Sequence, residues 1–247
     1  MFDHAEIRAS DRGASERFYR LVLATLGREP TYTGDDVAEW DDFGLAQAEP
    51  DRPATRRLHV GFGASSREHV DAFWRAGVDA GYADDGAPGP RPEYGPDYYG
   101  GFLLDPDGNS AEAVHRSGVR THGAIDHLWI RVSDLEDATR FYELAAPHGG
   151  FEQRRRTAEL TQFTGDGASF SIVRGEATRN LHMAFPAAAN DLVDAFHAAL
   201  AGAGYRDNGA PGERPIYHAG YYAAFVLDPD GNNVEVVNHN RDAAAAS

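Results

Sequence analysis

The chain has 247 residues, enough for two units of about 120 residues that each bury a core. Its formal charge of −16, from 39 acidic and 23 basic residues, argues against nucleic acid as a partner. Every basic residue is arginine and there is no cysteine, which excludes Schiff-base chemistry, a phosphate-loop lysine, disulfides, thiolate ligands and a cysteine nucleophile.

Hydrophobic content of 42% is that of an ordinary globular chain, and no apolar run approaches the length of a membrane span. No membrane partner is expected. The first residues, Met-Phe-Asp-His-Ala-Glu, lack a basic region followed by an apolar one, so cytoplasm is the expected compartment.

Residues 3–9 alternate loosely and predict a strand with His4 near its start and Ile7 on an apolar face. Ser10-Asp11 caps a helix in which Phe18, Leu21, Val22 and Leu26 recur at helical spacing. Three short strands follow, near Thr31, Val37–Trp40 and Phe43–Gln47, before Pro50 ends the unit. The pattern then restarts. Leu58–Phe62 is a strand carrying His59, Ser65 with Glu68 reads as a capping box, and Val70, Phe73, Trp74 and Gly77 line one helix face. Gly86–Pro96 reads as a long loop, leading into a strand over Tyr98–Leu104, an Asp-Pro-Asp-Gly turn and a strand bearing Glu112.

The second half repeats the first. Asp105–Glu112 and Asp228–Glu235 carry nearly the same words, and their offset of 123 also takes His4 to His127, His59 to His182 and Phe18-Tyr19 to Phe141-Tyr142. Strands are expected at Ile125–Val132, Phe170–Val173, Leu181–Phe185 and Phe225–Leu227, a capping box at Ser133 and Glu136, and a Leu192, Phe196, Leu200 helix face. The domains are therefore 1–117 and 122–240, joined by a polar linker, with 241–247 as a frayed tail.

Two histidines near strand starts and one strand glutamate recur in each half. Two imidazoles and a carboxylate form a set that binds Fe, Mn, Zn or Ni as a divalent ion and leaves positions open for a substrate. A lone strand histidine is more often a half-buried side chain. The joint recurrence of all three residues at one offset favours the metal reading.

The arrangement resembles the vicinal oxygen chelate superfamily, which groups glyoxalase I, bleomycin-resistance proteins, fosfomycin-resistance transferases and extradiol dioxygenases. The resemblance rests on Asp3-His4 and Asp126-His127, Ile-Arg-Val-Ser-Asp at Ile130–Asp134, Phe141-Tyr142, Leu181-His182, and the Asp-Pro-Asp-Gly-Asn turns with their glutamates. It implies an α+β fold of tandem domains, each of two βαβββ modules forming an open mixed-sheet barrel with a metal inside. Carried over by halves, the ligands are His4, His59 and Glu112 in one site and His127, His182 and Glu235 in the other. Swapped modules would instead join His4 to His182 and Glu235, and His127 to His59 and Glu112.

The resemblance implies a metal-dependent enzyme holding two oxygens of a small substrate, either lyase or isomerase-like or a ring-cleaving dioxygenase. The alternative is a bleomycin-resistance-type protein that sequesters an aromatic or glycopeptide antibiotic. Two intact triads weigh against it. His218 and Glu235 are the expected catalytic residues, and Arg91, Arg214, Tyr99 and Tyr222 the expected substrate contacts. The fourth ligand common in glyoxalase I has only Gln47 and Arg174 as candidates, which disfavours that activity. The assembly is expected to be a monomer or homodimer.

Overall fold

The computed structural model describes residues 1–240. The expected tail at 241–247 lies outside them. Four βαβββ modules follow one another. The first comprises β1 (His4–Ala9), α1 (Arg12–Ala24), β2 (Tyr32–Thr33), β3 (Val37–Trp40) and β4 (Phe43–Gln47). The second comprises β5 (Leu58–Gly63), α2 (Arg67–Asp79), β6 (Asp84–Pro90), β7 (Tyr99–Leu104) and β8 (Ser110–His115). The third runs through β9 (Ile125–Val132), α3 (Leu135–Gly149), β10 (Glu152–Arg156), β11 (Leu160–Gly165) and β12 (Ala168–Arg174). The fourth runs through β13 (His182–Pro186), α4 (Asn190–Gly202), β14 (Asp207–Glu213), β15 (Tyr222–Leu227) and β16 (Asn233–Asn238).

The modules pair across the sequence halves. One eight-stranded sheet has the order β14-β15-β16-β13-β1-β4-β3-β2, and the other β10-β11-β12-β9-β5-β8-β7-β6. The first module thus shares a sheet with the fourth, through antiparallel β1 and β13, and the second with the third, through β5 and β9. The division into 1–117 and 122–240 describes the duplication, while each sheet draws on both halves. Helices behave differently: Phe18 of α1 packs edge-on against Tyr82 just after α2, and Phe141 of α3 against Tyr205 just after α4. Aromatic contacts such as Phe43 with Phe62 and Phe2 with Phe170 join the two sheets in one core.

The repeated turn has a structural purpose. Asp105 Oδ1 accepts the N–H groups of Asp107 and Asn109, and its Oδ2 accepts the Tyr19 hydroxyl at 2.9 Å. Asp228 and Tyr142 do the same in the second copy. This accounts for the recurrent Phe-Tyr pair. It also sets the phase of β8 and β16, so that Glu112 and Glu235 point away from the helices.

Two expectations are corrected. The Gly/Pro-rich loop begins with a true strand, β6, paired to β7 with bulges at Gly86, whose φ of 151° suits glycine. The helix caps shift by one residue: α2 starts after Ser66 and α3 after Asp134, because Ser133 instead donates its hydroxyl to Asp230 of the turn. The linker is partly buried. Asp42 accepts the N–H groups of Ala124 and Ile125 and ion-pairs with Arg120.

Candidate metal centres

Each triad is assembled by cross-strand neighbours on the face opposite the helices. In one sheet His59 of β5 stands beside Trp129 of β9 and Ser110 of β8, while Glu112 and His127 flank Gly61. Glu112 Oε2 lies 3.0 Å from His59 Nε2 and 3.2 Å from His127 Nε2, and the imidazole nitrogens are 3.2 Å apart. In the other sheet His4 Nε2 is 3.0 Å from His182 Nε2, and Glu235 Oε2 is 3.1 Å from His182 and 3.9 Å from His4. The grouping by sequence halves is therefore corrected to the swapped one. His4 and His59 lie on different sheets because β1 finds its antiparallel partner in β13.

These donor sets fit a divalent ion. Ligands about 2.1 Å from an ion and at right angles stand about 3.0 Å apart, close to the spacings here. The backbone makes room for the cluster. A Cβ on Gly61 would lie 2.2 Å from the His127 ring, and one on Gly100 would lie 2.4 Å from Glu112 Oε1.

A further layer orients every ligand. Asp126 Oδ2 accepts from His127 Nδ1 at 3.0 Å, Asp3 Oδ2 from His4 Nδ1 at 2.8 Å, and Ser110 Oγ meets His59 Nδ1 at 3.1 Å. His182 Nδ1 rests 2.7 Å from the Asn233 side-chain amide. Tyr98 donates to Glu112 Oε1 at 2.8 Å, and Tyr221 to Glu235 Oε1 at 2.6 Å. Each ligand thereby keeps one atom directed at the centre.

Protonation follows from these contacts. Burial would raise the Glu112 pKa, but His127 and His59 against its carboxylate draw it down to about 2. Burial would lower that of His127, yet Asp126 and Glu112 on its two nitrogens push it up to about 9. Burial wins at His59, whose pKa falls. His4 rises, since Asp3 and Glu235 outweigh its desolvation.

The other expected residues are placed unevenly. Tyr99 and Tyr222 are turned to the helix side, donating to Asp71 of α2 and Asp194 of α4, each at 2.8 Å. Strand alternation puts the preceding tyrosines, Tyr98 and Tyr221, inside instead. Arg91 borders the His59 centre; it and Arg214 donate to carbonyls of their own loops and lie over Phe102 and Phe225. His218 is exposed and outside the triad, linked to it by hydrogen bonds through His239 and Asp3 and by an edge-on ring contact with Tyr221. Gln47 caps α1, accepting from Arg12 N–H, and is no ligand.

Several residues escaped sequence reasoning. His239, 2.7 Å from Asp3, corresponds to Arg116, which makes a two-oxygen contact to Asp126. That mismatch at one repeat position was the available signal. A cavity of about 330 Å³ opens over the His59 centre, bordered by Trp129, Tyr94, Phe102, Arg91 and Arg131. The His4 centre is more open, with His4 32% exposed against 14% for His59.

A family model described as the Glyoxalase/Bleomycin resistance protein/Dioxygenase superfamily matches residues 124–236. The chain belongs to this vicinal oxygen chelate superfamily. Glyoxalase I from Zea mays shares the fold along nearly the whole length, with a TM-score of 0.71 at 18% identity over 99% of this chain and 94% of that one. A glyoxalase/bleomycin resistance protein from Albidiferax ferrireducens is 34% identical, covering 47% of this chain and 99% of that one, with a TM-score of 0.42. No curated protein matches the chain. Among the described residues no helix is long and apolar enough to cross a membrane.

Proposed function

We propose that the protein is a divalent-metal-dependent enzyme acting on a small oxygen-rich substrate, by lyase, isomerase or ring-cleaving chemistry. The observation that carries this reading is the convergence of two imidazoles and one carboxylate, at 3.0–3.2 Å spacing in the His59 centre and 3.0–3.9 Å in the His4 centre, built twice from matching residues. His59, Glu112 and His127 would hold one ion, and His4, His182 and Glu235 the other. A bound ion would supply Lewis-acid stabilisation of negative charge on substrate oxygens.

The chain's own residues do the rest. Asp126, Asp3 and Ser110 fix imidazole orientation, and Tyr98 and Tyr221 hold one oxygen of each glutamate away from the centre. Trp129, Tyr94 and Phe102 would give one side of the His59 centre an aromatic wall. Glu235, the expected catalytic carboxylate, has its ligand role supported by His182 at 3.1 Å. His218 is hydrogen-bonded to the Ala219 carbonyl and to His239, so its proposed acid–base role at that centre would run through His239 and Asp3.

The second reading, sequestration of an aromatic antibiotic without chemistry, is supported by the aromatic wall of the same cavity. Metal content separates the two. Protein purified without a metal-affinity tag is expected to hold two ions per chain, and the His182→Ala/Glu235→Ala variant about one. No metal in either after reconstitution would overturn the enzyme reading and leave antibiotic binding.

A further inference from the structure

The two centres have the same ligands and opposite surroundings. Cross-strand register makes Glu6, Gly44 and Glu39 one row in the first sheet, and Trp129, Ser171 and Gln162 the equivalent row in the second. Two carboxylates beside the His4 centre are thus replaced by an indole and an amide beside the His59 centre. The arginines respond. Arg8, next to Glu6, gives its guanidinium to Glu6 Oε1 at 3.0 Å. Its counterpart Arg131, next to Trp129, donates one nitrogen to the Arg57 carbonyl and has no carboxylate within ion-pair distance among the described residues.

Arg91, stacked over Phe102, likewise hydrogen-bonds only to backbone carbonyls among the described residues and borders the same cavity. The rim carboxylate there, Asp85, already accepts the Ser110 hydroxyl at 2.7 Å. Two guanidinium groups without counter-ions therefore face a space walled by Trp129 and Tyr94, whose rings meet edge-on at 5.6 Å. Guanidinium groups favour carboxylates, and aromatic walls favour flat rings.

We infer that the His59 centre selects a small aromatic acid carrying two adjacent oxygens, its carboxylate held by Arg131 and Arg91, and that the His4 centre does not share this preference. The carboxylate gives the ring a fixed end, while the adjacent oxygens face the triad. Glu6 and Glu39 repel the same anion from the other centre. The inference rests on the proposed metal-chelating function and adds the substrate class and the centre that takes it.

The test is calorimetric titration of the full-length protein with 2,3-dihydroxybenzoate and with catechol, zinc-loaded and after chelator treatment. With zinc, the acid is expected to bind at one site per chain about tenfold more tightly than catechol. Arg131→Gln removes an exposed group, and Trp129→Glu recreates the arrangement found at Glu6. Arg131→Gln is expected to erase the difference while leaving catechol binding unchanged, and Trp129→Glu, which also removes part of the aromatic wall, to erase it while weakening both ligands. Equal wild-type affinities, or a preference that survives both variants, would overturn the inference. If both ligands still needed zinc, the metal-chelating function would stand. A preference that persisted without zinc would uphold the anion-selective cavity and overturn chelation. Failure of both ligands to bind would overturn both readings.

Discussion

His4 and His182 are 178 positions apart in the chain, yet their Nε2 atoms lie 3.0 Å from each other, whereas His4 and His59 of the same sequence half stand on different sheets. Double variants read out this pairing directly. His4→Ala/His182→Ala disables one centre and is expected to leave about one ion per chain, while His4→Ala/His59→Ala breaks both triads and is expected to leave almost none. Plasma mass spectrometry of each purified variant checks the pairing. Equal metal content in the two variants would contradict it.

Gly61 is the backbone position on which the His59 centre depends. It sits directly across from His127, and an added Cβ would meet that ring at 2.2–2.7 Å. Alanine already occupies the equivalent place opposite His4, at Ala184. Gly61→Ala is expected to displace His127, remove the ion from this centre alone and destabilise the fold by about 1–3 kcal/mol. Thermal unfolding and metal content measure the two effects separately.

The ligand residues were legible because each centre needs three demanding residue types and the duplication preserved all of them. Their partnership was not legible. The β1–β13 and β5–β9 pairings join strands without a connecting turn, so nothing local in the sequence encodes them. Turn chemistry at Asp105 and Asp228 was plain, but the tyrosine that locks each turn comes from a helix 86 residues earlier. The choice between Tyr98 and Tyr99 depended on strand phase, set by pairing with β8 rather than by the pair itself. Gly86 and Gly209 hid their strands because a bulged edge tolerates the residues that usually signal a loop.

Tyr98→Phe would leave Glu112 Oε1 without its buried donor. A hydrogen bond to a charged group contributes about 1.5–3 kcal/mol, and loss of such a supporting contact lowers metal affinity about tenfold to a hundredfold. Competition with a coloured chelator is expected to show this drop at one centre only. Tyr99→Phe, whose hydroxyl faces Asp71 on the helix side, is expected to leave affinity unchanged.

Proton release gives the last prediction. In the metal-free protein His127 is held up to about 9 by Asp126 and Glu112, against an unfolded value near ~6.5. Its contribution to stability is thus fully present below the unfolded value and is lost as pH rises through about 9. Glu112, drawn down to about 2 by the two imidazoles, contributes above its ordinary carboxylate range and loses that contribution as pH falls toward the folded value. A metal needs the free lone pair of His127, so binding near neutral pH must expel the proton from that ring. Titration of metal into the His182→Ala/Glu235→Ala variant, in two buffers of different ionisation enthalpy, is expected to report release of about one proton per ion near neutral pH and almost none above pH ~10. Release that did not change between those conditions would mean that His127 is neutral before the metal arrives, and that Glu112 does not hold it charged.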